Sequence, residues 1–86
     1  MSVDASHTPP ITFLRAPQVE LRTGRSKRQI YRMAAADEFP PSHRQSHKVA
    51  VWYGHEVEAW LNWRMAIDAG KRIASWREFL PTGLAA

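Results

Sequence analysis

Between residues 26 and 32 the chain reads Ser-Lys-Arg-Gln-Ile-Tyr-Arg. All but the isoleucine carry hydrogen-bonding side chains, and the two arginines stand four positions apart. Arginine presents a two-pronged donor that fits guanine O6 and N7, and glutamine offers a matching pair to adenine. Serine, lysine and the free N–H groups of a helix's first turn suit phosphate oxygens. A second polar cluster follows at once, with His43, Arg44, His47 and Lys48 behind Pro40 and Pro41. Both clusters have the chemistry of polyanion recognition.

Periodicity places the first cluster on a helix. At about 100° per residue, with Ile30 as the reference, Met33 and Ala34 fall on the same side and face a core. Arg28 and Arg32 fall near the opposite pole, with Ala35 between them. Gln29 and Tyr31 flank that pole, and Lys27 sits in the first turn. Ser26 stands where an N-cap belongs. A basic helix face is about as often merely solvated as it is a reading face, so the preceding segment decides. There, "APQVELRTG" opens with Pro17 and closes with Gly24, the residues that start and stop a helix. Val19 and Leu21 are its expected buried residues. Two short helices joined by a tight glycine-containing turn make a helix-turn-helix. That context favours recognition of double-stranded DNA.

The second cluster is expected on a hairpin. Pro40 and Pro41 end the second helix. "VAVWY" then alternates with a strand period, and "SHRQ" is its candidate partner across a turn near Gln45 to His47. Such a hairpin would lay His43, Arg44, His47 and Lys48 along an adjacent backbone or minor groove. It answers an energetic need, because affinity for DNA comes largely from phosphates. Upstream, "ITFLRA" reads as a brief strand. Downstream, "HEVEAWLNWRMAIDAG" is an amphipathic helix with Val57, Trp60, Leu61 and Arg64 on one face, ending near Gly70. The fold class expected is mainly α with a small β-hairpin, a winged helix-turn-helix. It would occupy residues 11–70, behind a disordered arm at 1–10.

Residues 71–86 are expected to form a short C-terminal helix and a tail. Ile73, Trp76 and Leu80 share a face, and Ser75 with Glu78 fits a capping box. Trp52 and Trp60 belong to the core. Trp76 either folds back over Trp63 or joins it in a partner surface, because aromatic patches are enriched at interfaces.

Composition excludes several other functions. With 12 Lys+Arg against 8 Asp+Glu, the formal net charge is +4. The positive residues gather: Arg22, Arg25, Lys27, Arg28, Arg32, Arg44 and Lys48 fall in one stretch whose only acids are Asp37 and Glu38. The absence of cysteine removes disulfides, thiolate metal sites and thiol nucleophiles together. His43 and His47 have the i, i+4 spacing of a helical metal pair, but they flank a turn and no neighbouring acid completes a site. No acidic trio, nucleophile motif or glycine-rich phosphate loop appears, so no enzyme, cofactor or metal is expected. Neither an 18-residue apolar run nor a signal pattern is present, and a cytoplasmic protein with no membrane contact is the expectation.

The residues also carry a resemblance. "FLRAPQVELRTGRSKRQIYRMAAADEFPPS", followed by "VAVW" and "EVEAWL", resembles the AlpA family of small phage and prophage regulators, relatives of excisionases and of the DNA-binding part of MerR-type regulators. The matching positions are Leu14-Arg15, Thr23-Gly24, Ser26, Ile30-Tyr31-Arg32, Phe39-Pro40, Trp52, and Glu56-Val57 through Leu61. Residues 13 to about 65 are covered. His55 departs from the pattern, since the family usually has Ser or Asp there. The resemblance implies a winged helix that acts as a transcriptional regulator or as an excisionase-like architectural factor. It implies that Ser26, Lys27, Arg28, Tyr31 and Arg32 lie on the DNA-reading element. Beside DNA, the partners it leaves open are a second copy, as a dimer or cooperative array, and an integrase. A protein-interaction module built on Trp63 and Trp76 is the reading from outside DNA binding.

Overall fold

A computed structural model describes residues 12–80 of the chain. The arm expected at 1–10 and the last residues of the tail lie outside the described residues. Strand β1 (Phe13–Leu14) leads into helix α1 (Ala16–Thr23) and helix α2 (Lys27–Ala35). Strands β2 (His43–Ser46) and β3 (Val49–Tyr53) form a hairpin, helix α3 (Gly54–Asp68) follows, and a 3-10 turn spans Trp76–Phe79. The sheet is antiparallel in the order β1-β3-β2. A helix-turn-helix followed by a hairpin wing is the winged helix-turn-helix that the sequence pattern predicts.

The turn between α1 and α2 is built from short-range bonds. Gly24 closes α1 with φ 71°, and its N–H donates to the Glu20 carbonyl at 2.8 Å. That left-handed conformation is open to glycine at no steric penalty. The Thr23 hydroxyl donates to the Val19 carbonyl and accepts from the Arg25 N–H. Ser26 then caps α2: its Oγ accepts from the Gln29 N–H at 3.1 Å, and Gln29 Oε1 accepts from the Ser26 N–H at 3.1 Å. This reciprocal pair is a capping box.

The helix stops at Ala35, close to the bounds of about 26–36 that the sequence pattern gives, but a backbone cap and not the prolines ends it. The Glu38 N–H donates to the Met33 carbonyl and the Asp37 N–H to the Ala34 carbonyl, the two bonds of a Schellman cap. Asp37 takes the left-handed position with φ 63°, where glycine is the usual occupant. The prolines act one step later: Pro40 is buried and carries the chain toward β2.

The hairpin turn also lies one residue further on than expected, at His47–Lys48. The register passes from Arg44↔Ala50 to Ser46↔Val49, so Gln45 is the extra residue of a bulge. Pairing puts Leu14, Trp52, Ala50 and Arg44 on one sheet face and Phe13, Tyr53, Val51 and His43 on the other.

The core lies between the sheet and the helices. Val19, Ile30, Phe39, Trp52 and Val57 are fully buried, and Leu14, Trp60 and Trp76 nearly so. Phe39 meets Trp60 edge-on at 4.9 Å, and the Trp60 indole N–H donates to the Glu38 carbonyl. Leu21 corrects the sequence expectation, because it is 87% exposed. Residues two apart on a helix point to nearly opposite sides, and Val19 takes the inner one. Gly54 marks the tightest approach: a Cβ there would stand 2.9 Å from the Thr12 side chain, and the Gly54 N–H donates to the Thr12 carbonyl at 2.7 Å.

The tail docks on its own domain. Trp76 joins the core cluster, Phe79 and Leu80 pack against it, and the Trp63 indole N–H donates to the Ile73 carbonyl at 2.8 Å. Ser75 does cap the turn, but its Oγ takes the Arg77 N–H and the segment is a 3-10 turn of four residues. With Trp76 at 3% exposure, the two tryptophans do not form the open partner surface that the sequence left as an alternative.

Candidate nucleic-acid interface

The capping box and the buried Ile30 fix which way α2 faces. Lys27, Arg28, Gln29, Tyr31 and Arg32 are all exposed on it, while Met33 and Ala34 pack toward the core. Tyr31 leans on Trp52 of β3, with ring centroids 5.5 Å apart, and so ties the helix to the wing. On the wing, Arg44, His47 and Lys48 are exposed. Arg44 Nη1 donates to the His47 carbonyl at 2.9 Å, which braces the hairpin tip.

Helix and wing share a notch of about 330 Å³, and Arg15, Lys27, Tyr31, Arg44, Lys48 and Trp52 are among its walls. Four of these carry positive charge, and they come from three places in the chain: the start of α1, the start of α2 and the hairpin. None of the four has a carboxylate partner among the described residues. The ion pairs found there are Arg22–Glu58, Arg64–Asp68 and Arg77–Asp37, and His43 meets Glu56 at 3.5 Å. Arg28 and Arg32 are free of acids in the same way. Arg15 is the residue that sequence reasoning left out of the site. Its only signal was its place in the Leu14-Arg15 pair, and nothing in the spacing says that residue 15 ends beside residues 44 and 48.

Two expected site residues, His43 and Gln29, sit differently from the sequence picture. His43 lies on the other sheet face, stacked on Tyr53 at 3.9 Å and 6°, with Nε2 3.5 Å from Glu56 Oε1. The alternation of β2 sends it there, because Arg44 takes the notch side. Gln29 has its amide oxygen engaged in the cap, which leaves only its NH2 group for a ligand. The α2 N-terminus is also partly occupied: Glu20 Oε2 accepts from the Lys27 N–H at 2.7 Å. Ser26, Lys27, Arg28, Tyr31, Arg32, Arg44, His47 and Lys48 remain on the helix and wing as expected. Among the described residues no three His, Cys, Asp or Glu side chains gather as a metal site, and no helix is long and apolar enough to cross a membrane.

A helix-turn-helix with its second helix outward, a hairpin beside it, and unpaired cations on both define a winged-helix protein with a cationic face. Residues 12–65 match the family described as prophage CP4-57 regulatory protein (AlpA). The chain belongs to this family of phage-type regulatory proteins. The match takes in the whole helix-turn-helix, the wing and most of α3, and it stops short of the docked tail. The uncharacterized protein ORF88 of Enterobacteria phage P4 is 39% identical over 54 residues, which make up 63% of this chain and 61% of that protein. The chain thus spans about three fifths of that relative's length. No solved structure matches the chain.

Proposed function

We propose that the protein is a sequence-specific DNA-binding regulator. In this reading α2 enters the major groove, Arg28 and Arg32 contact base edges, and the wing follows the neighbouring backbone with Arg44, His47 and Lys48. Ser26 and Gln29 hold the first turn of α2 in shape, and Tyr31 sets the spacing between helix and wing. The observation that carries the proposal is the concentration of unpaired charge: Arg15, Lys27, Arg28, Arg32, Arg44 and Lys48 meet on the helix, wing and notch with no carboxylate partner among the described residues, while Arg22, Arg64 and Arg77 elsewhere are paired and Arg25, Lys71 and Arg72 are not. A basic helix is suited to a groove only when its charge is free to meet phosphate.

The test is selection of duplexes from a random-sequence library, followed by footprinting of the recovered site. A protected site that Arg28→Ala relaxes at particular base pairs is the expected result. Recovery of no preferred sequence would reduce the protein to a general DNA binder, and recovery of no DNA would remove the reading. The same face would serve an excisionase-like factor at a recombination site. A bending assay on the selected site, with and without an integrase, distinguishes that role from regulation at a promoter.

A further inference from the structure

The notch has chemistry of its own, beyond that of the helix and the wing. Arg15, Lys27, Arg44 and Lys48 converge on it from positions far apart in sequence, and no acidic side chain lines it. Like charges gathered this way repel each other. An anion seated among them attracts each cation and so offsets that repulsion. The donors present suit a phosphate group. Arginine offers its fork to two oxygens, lysine a movable point charge, and tyrosine a hydroxyl. Trp52 backs the wall behind these donors as a fully buried side chain. A single water needs only about 10–15 Å³ of cavity, so the notch admits a phosphate group with its water.

Arg15 is held ready for this role. It caps α1, with its own N–H donated to Gln18 Oε1 at 2.8 Å and its carbonyl accepting from the N–H groups of Gln18 and Val19. The backbone is therefore fixed while the side chain stays exposed.

We infer that the notch between α2 and the wing seats one phosphodiester of the DNA backbone, and that Arg15 and Lys48 grip that same phosphate from opposite sides. The inference rests on the DNA-binding reading above and sharpens it. A groove that accepts α2 must carry one of its bounding strands past the gap between helix and wing, and the seat fixes the register of the protein on that strand. Arg15 is thus a positioning contact that belongs to neither reading element.

Methylphosphonate substitution tests this, because it removes the charge of one linkage at a time. The probe is the duplex recovered by the random-library selection, scanned linkage by linkage against the full chain. One linkage should stand out, with affinity falling roughly tenfold when it is neutral. Arg15→Ala should lose a similar factor on the unmodified duplex and become indifferent to neutralisation of that linkage. Lys48→Ala should become indifferent at the same linkage, and not at another. Both side chains are exposed, and melting curves check that the variants fold. If Arg15→Ala binds as tightly as the parent, or if Arg15 and Lys48 couple to different linkages, the single seat is overturned while the DNA-binding reading stands. If no duplex is recovered, that reading fails and the seat with it. Titration with inorganic phosphate, followed by NMR, covers the other source of the anion. Arg15-dependent saturation by free phosphate, with DNA affinity independent of Arg15, would overturn the diester assignment.

Discussion

Arginine does different work on two sides of this molecule. Around α3 and the tail, Arg22, Arg64 and Arg77 each stand about 3 Å from a carboxylate, at 3.1, 3.0 and 2.9 Å from Glu58, Asp68 and Asp37. Around α2 and the wing, Arg15, Arg28, Arg32 and Arg44 have no such partner among the described residues, and Lys27 and Lys48 stand beside them. Among the described residues the arginine–carboxylate pairs thus all lie on one side, together with the unpaired Arg25, Lys71 and Arg72, while every cation around α2 and the wing is unpaired. Stability does not require this division, since exposed ion pairs contribute about 0–1 kcal/mol. The division matters for what the surface can meet, because free cations release counterions on binding a polyanion and paired ones largely do not.

The comparison breaks first if the paired side turns out to matter for DNA or the unpaired side for folding. The largest expected effect is on folding and belongs to the paired side. Trp76 brings the tail into the core, and removal of a buried tryptophan costs about 3–5 kcal/mol. Trp76→Ala should lower stability by that much in a denaturant melt. Trp76→Phe should lose less and keep its DNA sequence preference unchanged. A normal melt for Trp76→Ala would mean that the tail is a loose appendage. Equal stability joined to loss of a dimer on sedimentation would restore the idea of a partner surface there.

The next effect belongs to the unpaired side. Arg28→Ala and Arg32→Ala should each weaken specific DNA binding by about 1–3 kcal/mol and shift stability by no more than about 0.5 kcal/mol. An equal loss on selected and random duplexes would make them phosphate contacts. Smaller still is the expected effect of Lys48→Ala, a nearly uniform loss across sequences. The slope of log K against log salt should flatten by roughly one unit. An unchanged slope would show that the wing tip does not touch the backbone.

Much of this division was legible in the sequence, and the parts that were not share a cause. The turn could be read because Gly24 and Ser26 act through neighbours one to four positions away. The outward face of α2 followed from its period, as did the burial of Ile30. Trp52 and Trp60 were legible as core by size and hydropathy. Leu21 was misread because hydropathy was placed above period: it lies two residues from Val19 on a helix. His43 was misplaced because strand parity turns on a register that no Asn-Gly or Asp-Gly turn announced, and the bulge at Gln45 shifted the turn. Arg15 escaped for a different reason. Its partners in the notch are distant in the chain, and only the pairing of β1 with β3 brings residue 15 beside the wing.

The smallest effect tests the paired side alone, at Asp37. This residue serves twice. Its backbone takes the left-handed position of the α2 cap, and its carboxylate receives Arg77 Nη1 and Nη2 at 3.3 and 2.9 Å. The pair is exposed, with 73% of the Asp37 side chain open to solvent, so its loss should cost well under about 1 kcal/mol. The left-handed backbone costs a non-glycine residue about 1–2 kcal/mol, with some relief for aspartate. Asp37→Gly removes both terms and should leave the melt near that of the parent. Asp37→Ala loses the pair but keeps the backbone strain, so it should fall below Asp37→Gly by about 1 kcal/mol. The part due to the pair should shrink at high salt, and the part due to the backbone should persist. Both variants remove an acid and so raise the formal charge by one. If total charge governed DNA binding, either would strengthen it and steepen the salt dependence. If the local face governs, as the segregation implies, the salt slope should stay at the parent value. A steeper slope for Asp37→Gly would mean that the two sides are not electrically separate.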